Sequence, residues 1–203
     1  MNVAADHGRF WIRRYVHAGA GIRAGLAVAL IVATFRTVAA AEVEVRVEEA
    51  RGVYHVEGAF SAAVSVATAW NVLADYEHIG AFVSSVRRSR LVAAPDGGRL
   101  LLQDAVTGTF PFRRTVHVEL ALTEDPGRRI AFRDEMGRDF RRYAGDWTVH
   151  ATAGGTQVGY ALEAEPRSGM PALLVRGATA HSACELLTQV RAEMLRRSAA
   201  APR

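Results

Sequence analysis

Most of the chain after residue 42 alternates between apolar and polar positions, as in a half-buried β-strand. Val43, Val45 and Val47 alternate with charged residues, and the alternation resumes over residues 53–60. Six further strand-like runs follow, with turn sequences between them, over residues 84–93, 99–107, 112–123, 128–136, 140–152 and 156–165. The pattern predicts an antiparallel sheet of about seven strands, with one apolar and one solvated face.

Three segments show helical rather than strand periodicity. Residues 65–76 place apolar side chains on one helical face, and a second short helix is expected over residues 77–82. Residues 171–197 form a long amphipathic pattern in which Pro171 suits the first turn. Because this helix alone remains to cover the apolar face of the sheet, the order of elements predicts an α+β domain. The curved sheet would wrap around the C-terminal helix, and two short helices would follow strand 1.

The long helix changes character along its predicted apolar stripe. The first half is small apart from Leu173, with Gly177, Ala180 and Cys184, whereas Leu187 begins a bulky second half. Small side chains facing the sheet allow two interpretations: the backbones approach closely, or a space remains for a ligand. The single Cys184 is interpreted as a buried thiol on this stripe.

Strand parity assigns side chains to the two faces of the sheet. Tyr143 and Trp147 share an inward face, as do Val158 and Tyr160 on the next strand. Asp104, Asp134 and Arg114 also fall on the parity taken as inward, and Arg176 lies on the helix stripe. Such charges either form structural ion pairs and sit at strand ends, or Arg114 and Arg176 meet the polar end of a ligand.

Composition adds two limits. All 25 cationic residues are Arg, so a Schiff-base lysine and a Walker-type phosphate loop are excluded. Residues 1–41 hold five Arg and one acid, which leaves 20 Arg against 20 acids in residues 42–203. The formal charge of +4 therefore belongs to the N-terminal segment, and no nucleic-acid partner is expected.

The N-terminal segment resembles an export signal. An Arg-bearing region is followed by an apolar run over residues 24–35 and by the small triplet at residues 39–41. We therefore expect residues 1–41 to be a signal peptide cleaved before Glu42, and residues 42–203 to be a periplasmic or secreted domain. The alternative is an uncleaved membrane anchor formed by the same apolar segment.

Three stretches, at residues 69–77, 145–160 and 165–171, resemble the START-like (SRPBCC) superfamily, which includes polyketide cyclase/dehydrase, lipid-transport and coenzyme-Q-binding proteins. They correspond to the first helix with its Leu73-Ala74-Asp75-Tyr76 ending, the Gly145-Asp146-Trp147 strand with the following hairpin, and the approach to the final helix. The resemblance implies a helix-grip fold. It also implies a cavity between sheet and helix for a quinone, a sterol or hopanoid, or a fatty-acyl lipid.

The resemblance supplies no catalytic signature, and the histidines lack metal-ligand spacing, so no catalytic residue, metal or cofactor is expected. Transient contact with a membrane is a further expectation for a lipid carrier. A cyclase or dehydratase using Asp104, Asp134 or Tyr143, and a partner-binding module with a filled core, are the alternatives. The predicted ligand-binding residues are Trp70, Phe82, Phe112, Arg114, Phe132, Tyr143, Trp147, Tyr160, Leu173, Arg176, Gly177, Ala180 and Cys184.

Overall fold

The computed structural model describes residues 43–94, 97–107, 113–167 and 172–200. The strands are β1 (Glu44–Ala50), β2 (Val53–Ala62), β3 (Val86–Ala93), β4 (Arg99–Thr107), β5 (Arg114–Asp125), β6 (Arg129–Asp134), β7 (Phe140–Thr152) and β8 (Gly155–Pro166). The helices are α1 (Val66–Leu73), a 3-10 helix (Ile79–Ala81) and α2 (Ala172–Ala200). The predicted α+β class and the helix-grip arrangement are confirmed.

All strands join one antiparallel sheet in the order β1-β2-β8-β7-β6-β5-β4-β3. The chain crosses from β2, near one edge, to β3 at the other edge through α1 and the 3-10 helix. From β3 onward each strand pairs with the next along the chain, and β8 closes back on β2. The predicted antiparallel sheet is therefore confirmed.

The expected strand count and the position of the short helices need correction. The residues before and after Arg51-Gly52 form two separate strands, so the sheet has eight strands rather than about seven. Arg51 and Gly52 have φ of 54° and 82°, which is the left-handed geometry of a tight two-residue hairpin. The two short helices consequently follow the second strand.

The first helix is shorter than its pattern indicates. Ser65 caps it by accepting a hydrogen bond from the backbone N–H of Thr68, and the helix ends at Leu73 instead of Tyr76. Its buried residues are Ala69 and Val72, and the other members of the predicted apolar face, Val66, Trp70 and Leu73, are partly buried against the core. The side chain of Trp70 packs partly exposed against the core.

Helix α2 packs mainly on β1 and β2, through the bulky half of its stripe. Leu187 and Met194 have no solvent-exposed surface, and Val190 is 2% exposed. The helix lies close to the sheet at Gly58 on β2, where an added Cβ atom would clash with Leu187 Cδ1. The small residue that permits close packing is thus on the sheet, and the large one is on the helix.

A charged cluster fastens the C-terminal part of α2 to the segment that follows α1. Glu193, only 7% exposed, accepts hydrogen bonds from Arg196 and Arg197, and Arg197 also donates to Asp75. The Arg197 guanidinium lies 5.6 Å from the centre of the Phe82 ring. Hydrogen bonds from Arg196, joined by those from Arg197, outweigh burial and lower the pKa of Glu193 to about 2.

This cluster predicts a stability difference that disappears in acid. A carboxyl group whose pKa is lowered by folding stabilises the protein above its unfolded pKa, and loses that effect as the pH falls through the folded value. We expect Glu193→Gln to reduce the free energy of unfolding by about 1–2 kcal/mol at pH 7, allowing for solvent screening of the arginines. Urea titrations should show the gap closing between pH ~4.5 and pH ~2. A difference in unfolding free energy between the two proteins that does not change with pH would contradict this role of Glu193.

The two faces of the sheet follow the predicted parity in most strands. Tyr143, Trp147, Val158 and Tyr160 face α2, as expected. The inward parity assigned to Asp104 is wrong, because Leu101, Gln103 and Ala105 pair with the inward residues of β5. Asp104 lies on the outer face, where it is 2.6 Å from His117 Nδ1.

Several sequence predictions fall outside the described residues. These are the signal segment with its cleavage site, Phe112 and Pro171. Within the described ranges, no helix has both the length and the apolar character needed to span a membrane.

Candidate ligand-binding site

Two neighbouring cavities lie between the sheet and α2, each with a volume of about 150 Å³. The aromatic cavity is bordered by β4 to β8, by the segment around Tyr76, and by Leu186 of α2. The helix cavity is bordered by the N-terminal half of α2, including Thr179, Ser182 and Ala183, and by strands across from it. Five residues border both cavities, namely Ser85, Ala105, Tyr143, Tyr160 and Leu186.

Aromatic rings from three strands form much of the wall. The ring centres of Trp147 and Tyr160 are 4.5 Å apart, and those of Phe140 and Tyr143 are 4.7 Å apart. Phe132 lies 6.0 Å from Tyr143 and 6.4 Å from Tyr160, so the five rings are contiguous. The side chain of Phe132 also extends across Gly145, where a Cβ atom would come within 2.8 Å of Phe132 Cζ. Glycine at this position therefore leaves room for the ring.

No Asp, Glu, His, Arg or Cys side chain borders either cavity among the described residues. The polar groups that do so are neutral hydroxyls and one amide, from Ser85, Gln103, Thr107, Thr179, Ser182 and the tyrosines. Such a wall favours an apolar guest with few polar atoms, because burying an ion there would leave its charge uncompensated.

Tyr143 on β7 and Tyr160 on the neighbouring strand β8 both border the two cavities. Burial raises the pKa of both phenols, so both remain protonated at neutral pH. Tyr160 is 7% exposed, whereas Tyr143 is less completely covered. Tyr76, at another part of the aromatic cavity, donates its hydroxyl to Glu124.

Four of the predicted ligand-binding residues border the cavities: Phe132, Tyr143, Trp147 and Tyr160. All four come from strand parity, which is insensitive to small errors in strand ends. Trp70 and Phe82 border neither cavity: Trp70, on α1, packs partly exposed against the core, and Phe82 lies under the Arg197 guanidinium.

The α2 residues that were predicted to bind the ligand lie on a different helical face from the residues that border the cavities. Leu173 is 80% exposed, Gly177 has no atom within 4 Å of a built Cβ, and Cys184 is exposed rather than buried. Ala180 is partly buried against the core but borders neither cavity. The cavities instead meet the helical row of Thr179, Ser182, Ala183 and Leu186, about one residue away around the helix.

Arg114 and Arg176, predicted as contacts for a ligand's polar end, have protein partners instead. Arg114 is 3.0 Å from Asp139, and Arg176 donates to the carbonyl oxygen of Val47 at 3.2 Å. Burial opposes ionisation of Asp139, but the His117 backbone N–H and the Arg114 guanidinium hold the pKa of that carboxyl below its usual range. These contacts agree with the structural alternative for the out-of-phase charges.

Sequence reasoning missed Phe140 and, on α2, Thr179, Ser182 and Leu186, whereas Ala183 was on the predicted stripe. Phe140 was taken only as the start of a strand, although its ring packs against Tyr143. Thr179 and Ser182 are polar, so a stripe selected for its apolar and small residues does not include them. The signal that could have found the row was the spacing of Ala183 and Leu186 ahead of Val190.

The acid and base candidates for catalysis are not brought together. Asp104 pairs with His117 on the outer face, and Asp134 accepts hydrogen bonds from the backbone N–H groups of Glu119, Met136 and Gly137. Tyr143 alone of the three borders a cavity. Within the described ranges, no three His, Cys, Asp or Glu side chains form a group that could hold a metal ion.

The fold is similar to solved structures that share little sequence identity with the chain. The Zhui aromatase/cyclase from Streptomyces sp. R1128 is 18% identical with a TM-score of 0.58, over 71% of this chain and 95% of that one. The STAR-related lipid transfer protein from Xanthomonas axonopodis is 17% identical with a TM-score of 0.52, over 74% and 98%. At these identities the likeness shows the fold alone.

A third structure is longer than the present chain. The di-domain ARO/CYC StfQ from the steffimycin biosynthetic pathway is 16% identical with a TM-score of 0.58. The alignment covers 72% of this chain and 52% of StfQ, so the chain spans about half the length of that protein. No curated protein sequence matches the chain significantly.

Residues 54–201 match the family described as polyketide cyclase / dehydrase and lipid transport. The matched region runs from the second strand to the end of α2 and so includes both cavities. The START-like resemblance of the sequence is thereby confirmed, and the chain belongs to this family of polyketide cyclase / dehydrase and lipid transport proteins.

Proposed function

We propose that this protein holds a hydrophobic small molecule or lipid between its sheet and α2, as a carrier or a sequestering protein. The observation that carries the proposal is the absence of ionised side chains among the described residues that border the cavities. Burial of the ligand's apolar surface would drive binding at about 25 cal/mol per Å². The family description, which includes lipid transport, supports this function.

Cavity size narrows the class of ligand. An apolar protein cavity of roughly 150 Å³ holds a single benzene ring, and each cavity here has about that volume. Pockets for larger organic ligands have volumes of roughly 300 Å³ or more. We therefore favour a ligand whose ring system occupies both cavities together, such as the head group of a prenylated quinone.

Extraction of the purified full chain tests this function. Denaturing solvent extraction followed by mass spectrometry should release a quinone or another lipid, and stripped protein should take up ubiquinone or palmitate from solution. A protein that carries nothing and takes up neither probe, nor cholesterol, would contradict the proposal.

A cyclase or dehydratase in the same cavity is the second candidate, and the neighbouring aromatase/cyclase structure supports it. Of the three acid–base candidates, Asp104, Asp134 and Tyr143, only Tyr143 borders a cavity. It would therefore be the acid or base of such an enzyme. Raised pKa values leave both tyrosines poor general bases at neutral pH, which favours binding without reaction. Conversion of a bound polyketide mimic by the wild-type protein would reverse this preference.

We also propose that the protein is exported, on the basis of the N-terminal pattern in residues 1–41. Cell fractionation should find the protein outside the cytoplasm, and N-terminal sequencing of that material should begin at Glu42. Recovery of the full-length chain in the membrane fraction would favour the anchor instead.

A further inference from the structure

The segment between α1 and β3 forms part of the wall of the aromatic cavity. Tyr76 and Ile79 border this cavity, and residues 75–84 as a whole belong neither to the sheet nor to α2. Among the described residues, the backbone hydrogen bonds of this segment run within it, back to α1, or to Val86 at the start of β3. The segment can therefore move about its two ends without breaking the ladders of the sheet.

Side-chain contacts from the C-terminal half of α2 hold the segment in place. Gln189 Oε1 accepts a hydrogen bond from the backbone N–H of Ser84, and Gln189 Nε2 donates to the Ser84 hydroxyl, both at 2.9 Å. The Arg197 guanidinium contacts the Asp75 carboxylate at 2.7 Å. This half of α2 is itself fixed on the sheet through Leu187, so it provides a firm attachment for the segment.

Buried side chains of the segment favour this closed position. Val83 has no exposed surface, and Tyr76 is 6% exposed with its hydroxyl donated to Glu124. Outward movement of the segment would expose this apolar surface to water, so an open position has a small population at equilibrium. The rate of opening would then limit how fast a guest reaches the aromatic cavity from this side.

We propose that residues 75–84 form a gate through which a ligand enters and leaves the aromatic cavity, and that the Gln189–Ser84 contact sets the rate of opening. This inference rests on the proposed binding function and adds the route and the timing of exchange. Neither Gln189 nor Ser84 borders a cavity, so their contact is the same in the empty and the filled protein. Its loss changes the rates of entry and exit by one factor and leaves the affinity unchanged.

Stopped-flow kinetics with 2-methyl-1,4-naphthoquinone test the gate in the full chain. The bound quinone would quench tryptophan fluorescence, since Trp147 borders the aromatic cavity. In Gln189→Ala the association and dissociation rate constants should both rise about fivefold, the usual effect of losing one neutral hydrogen bond. The dissociation constant should stay at its wild-type value. A change confined to the dissociation rate would show that Gln189 supports the bound state instead, and would contradict the gate.

Arg191→Ala is the matched control on the same helix. Arg191 Nε donates to the carbonyl oxygen of Ser61 on β2 at 2.9 Å, so this contact ties α2 to the sheet without involving the gate. Both rate constants should remain at their wild-type values in this variant. Wild-type rates in Gln189→Ala, with the probe bound, would overturn the gate and leave the carrier function intact. Failure of the probe to bind the wild type would count against the carrier function itself.

Hydrogen exchange tests the gate without any ligand. The amides of Ala81, Phe82 and Val83 are hydrogen-bonded within the segment, so their exchange reports its opening. Gln189→Ala should speed their exchange about fivefold and leave the amides of β7 and β8 unchanged. Equal acceleration in the segment and in the sheet would show that Gln189 stabilises the whole fold, and would overturn the inference even if no probe binds.

Discussion

Replacing Ala105 with phenylalanine should weaken binding of 2-methyl-1,4-naphthoquinone by about thirtyfold without unfolding the protein. Ala105 borders both cavities, and its side chain faces inward beside Val116. The substitution adds one phenyl ring, about what a cavity of this volume accommodates. The ligand then loses burial of one ring, about 2 kcal/mol. Because the ring enters existing space, the free energy of unfolding should change by less than about 1.5 kcal/mol.

Ala121→Phe is the matched control for this experiment. Ala121 lies on the adjacent strand β5 but on the opposite face of the sheet, between Leu100 and Arg133. The same ring added there should leave the quinone affinity at its wild-type value. Equal losses of affinity in the two variants would indicate general disruption of the sheet. Full binding by Ala105→Phe would place the ligand outside both cavities and contradict the proposed site.

Strand parity explains why the sheet side of the site could be predicted from sequence. A strand alternates with a period of two, so one buried aromatic residue fixes the direction of every second side chain. Trp147 on β7 and Tyr160 on β8 were assigned in this way, and the two are direct cross-strand partners. Uncertainty of one or two residues at the strand ends did not affect them. The same argument failed at Asp104, where β4 has apolar residues on both parities.

The helix side could not be predicted as well, because a helix changes face by 100° with every residue. In α2 the row that borders the cavities includes Thr179 and Ser182, whose hydroxyls resemble those of a solvated face. A neighbouring row with Gly177 looked more apolar and was chosen instead. Burial of the second half, at Leu187 and Met194, was predicted correctly because large apolar residues leave no alternative face.

The ion-pair partners of the charged side chains were the third feature that could not be predicted from the sequence. A single sequence shows that Arg114 falls on an inward parity, but not that Asp139, 25 positions away, returns to neutralise it. Pairing of this kind depends on the β6–β7 connection, where Asp134 and Asp139 supply acceptors to β5. Once these pairs form, the cavity walls retain neutral groups, and this favours an uncharged ligand.

Leu187→Ala should be the most destabilising of the substitutions considered, with a loss of about 3–4 kcal/mol in the free energy of unfolding. Leu187 is fully buried, and its Cδ1 atom occupies the position next to Gly58 where a side chain would otherwise lie. Truncation would leave a void that the surrounding strands, held in an eight-stranded sheet, cannot collapse to fill. Thermal unfolding should shift downward by about 10 °C for a chain of this size.

Leu186→Ala provides the comparison, because Leu186 already borders both cavities on one side. The Leu186 side chain makes fewer contacts than that of Leu187. Leu186→Ala should therefore lower the free energy of unfolding by about half as much as Leu187→Ala. Adding Gly58→Ala to the Leu187→Ala variant should restore part of the stability, since the new methyl group enters the space that Leu187 vacated. The single variant Gly58→Ala should instead destabilise, because its Cβ meets Leu187. Equal costs at positions 186 and 187, or additive effects of the two substitutions, would show that α2 does not close on the sheet at Gly58.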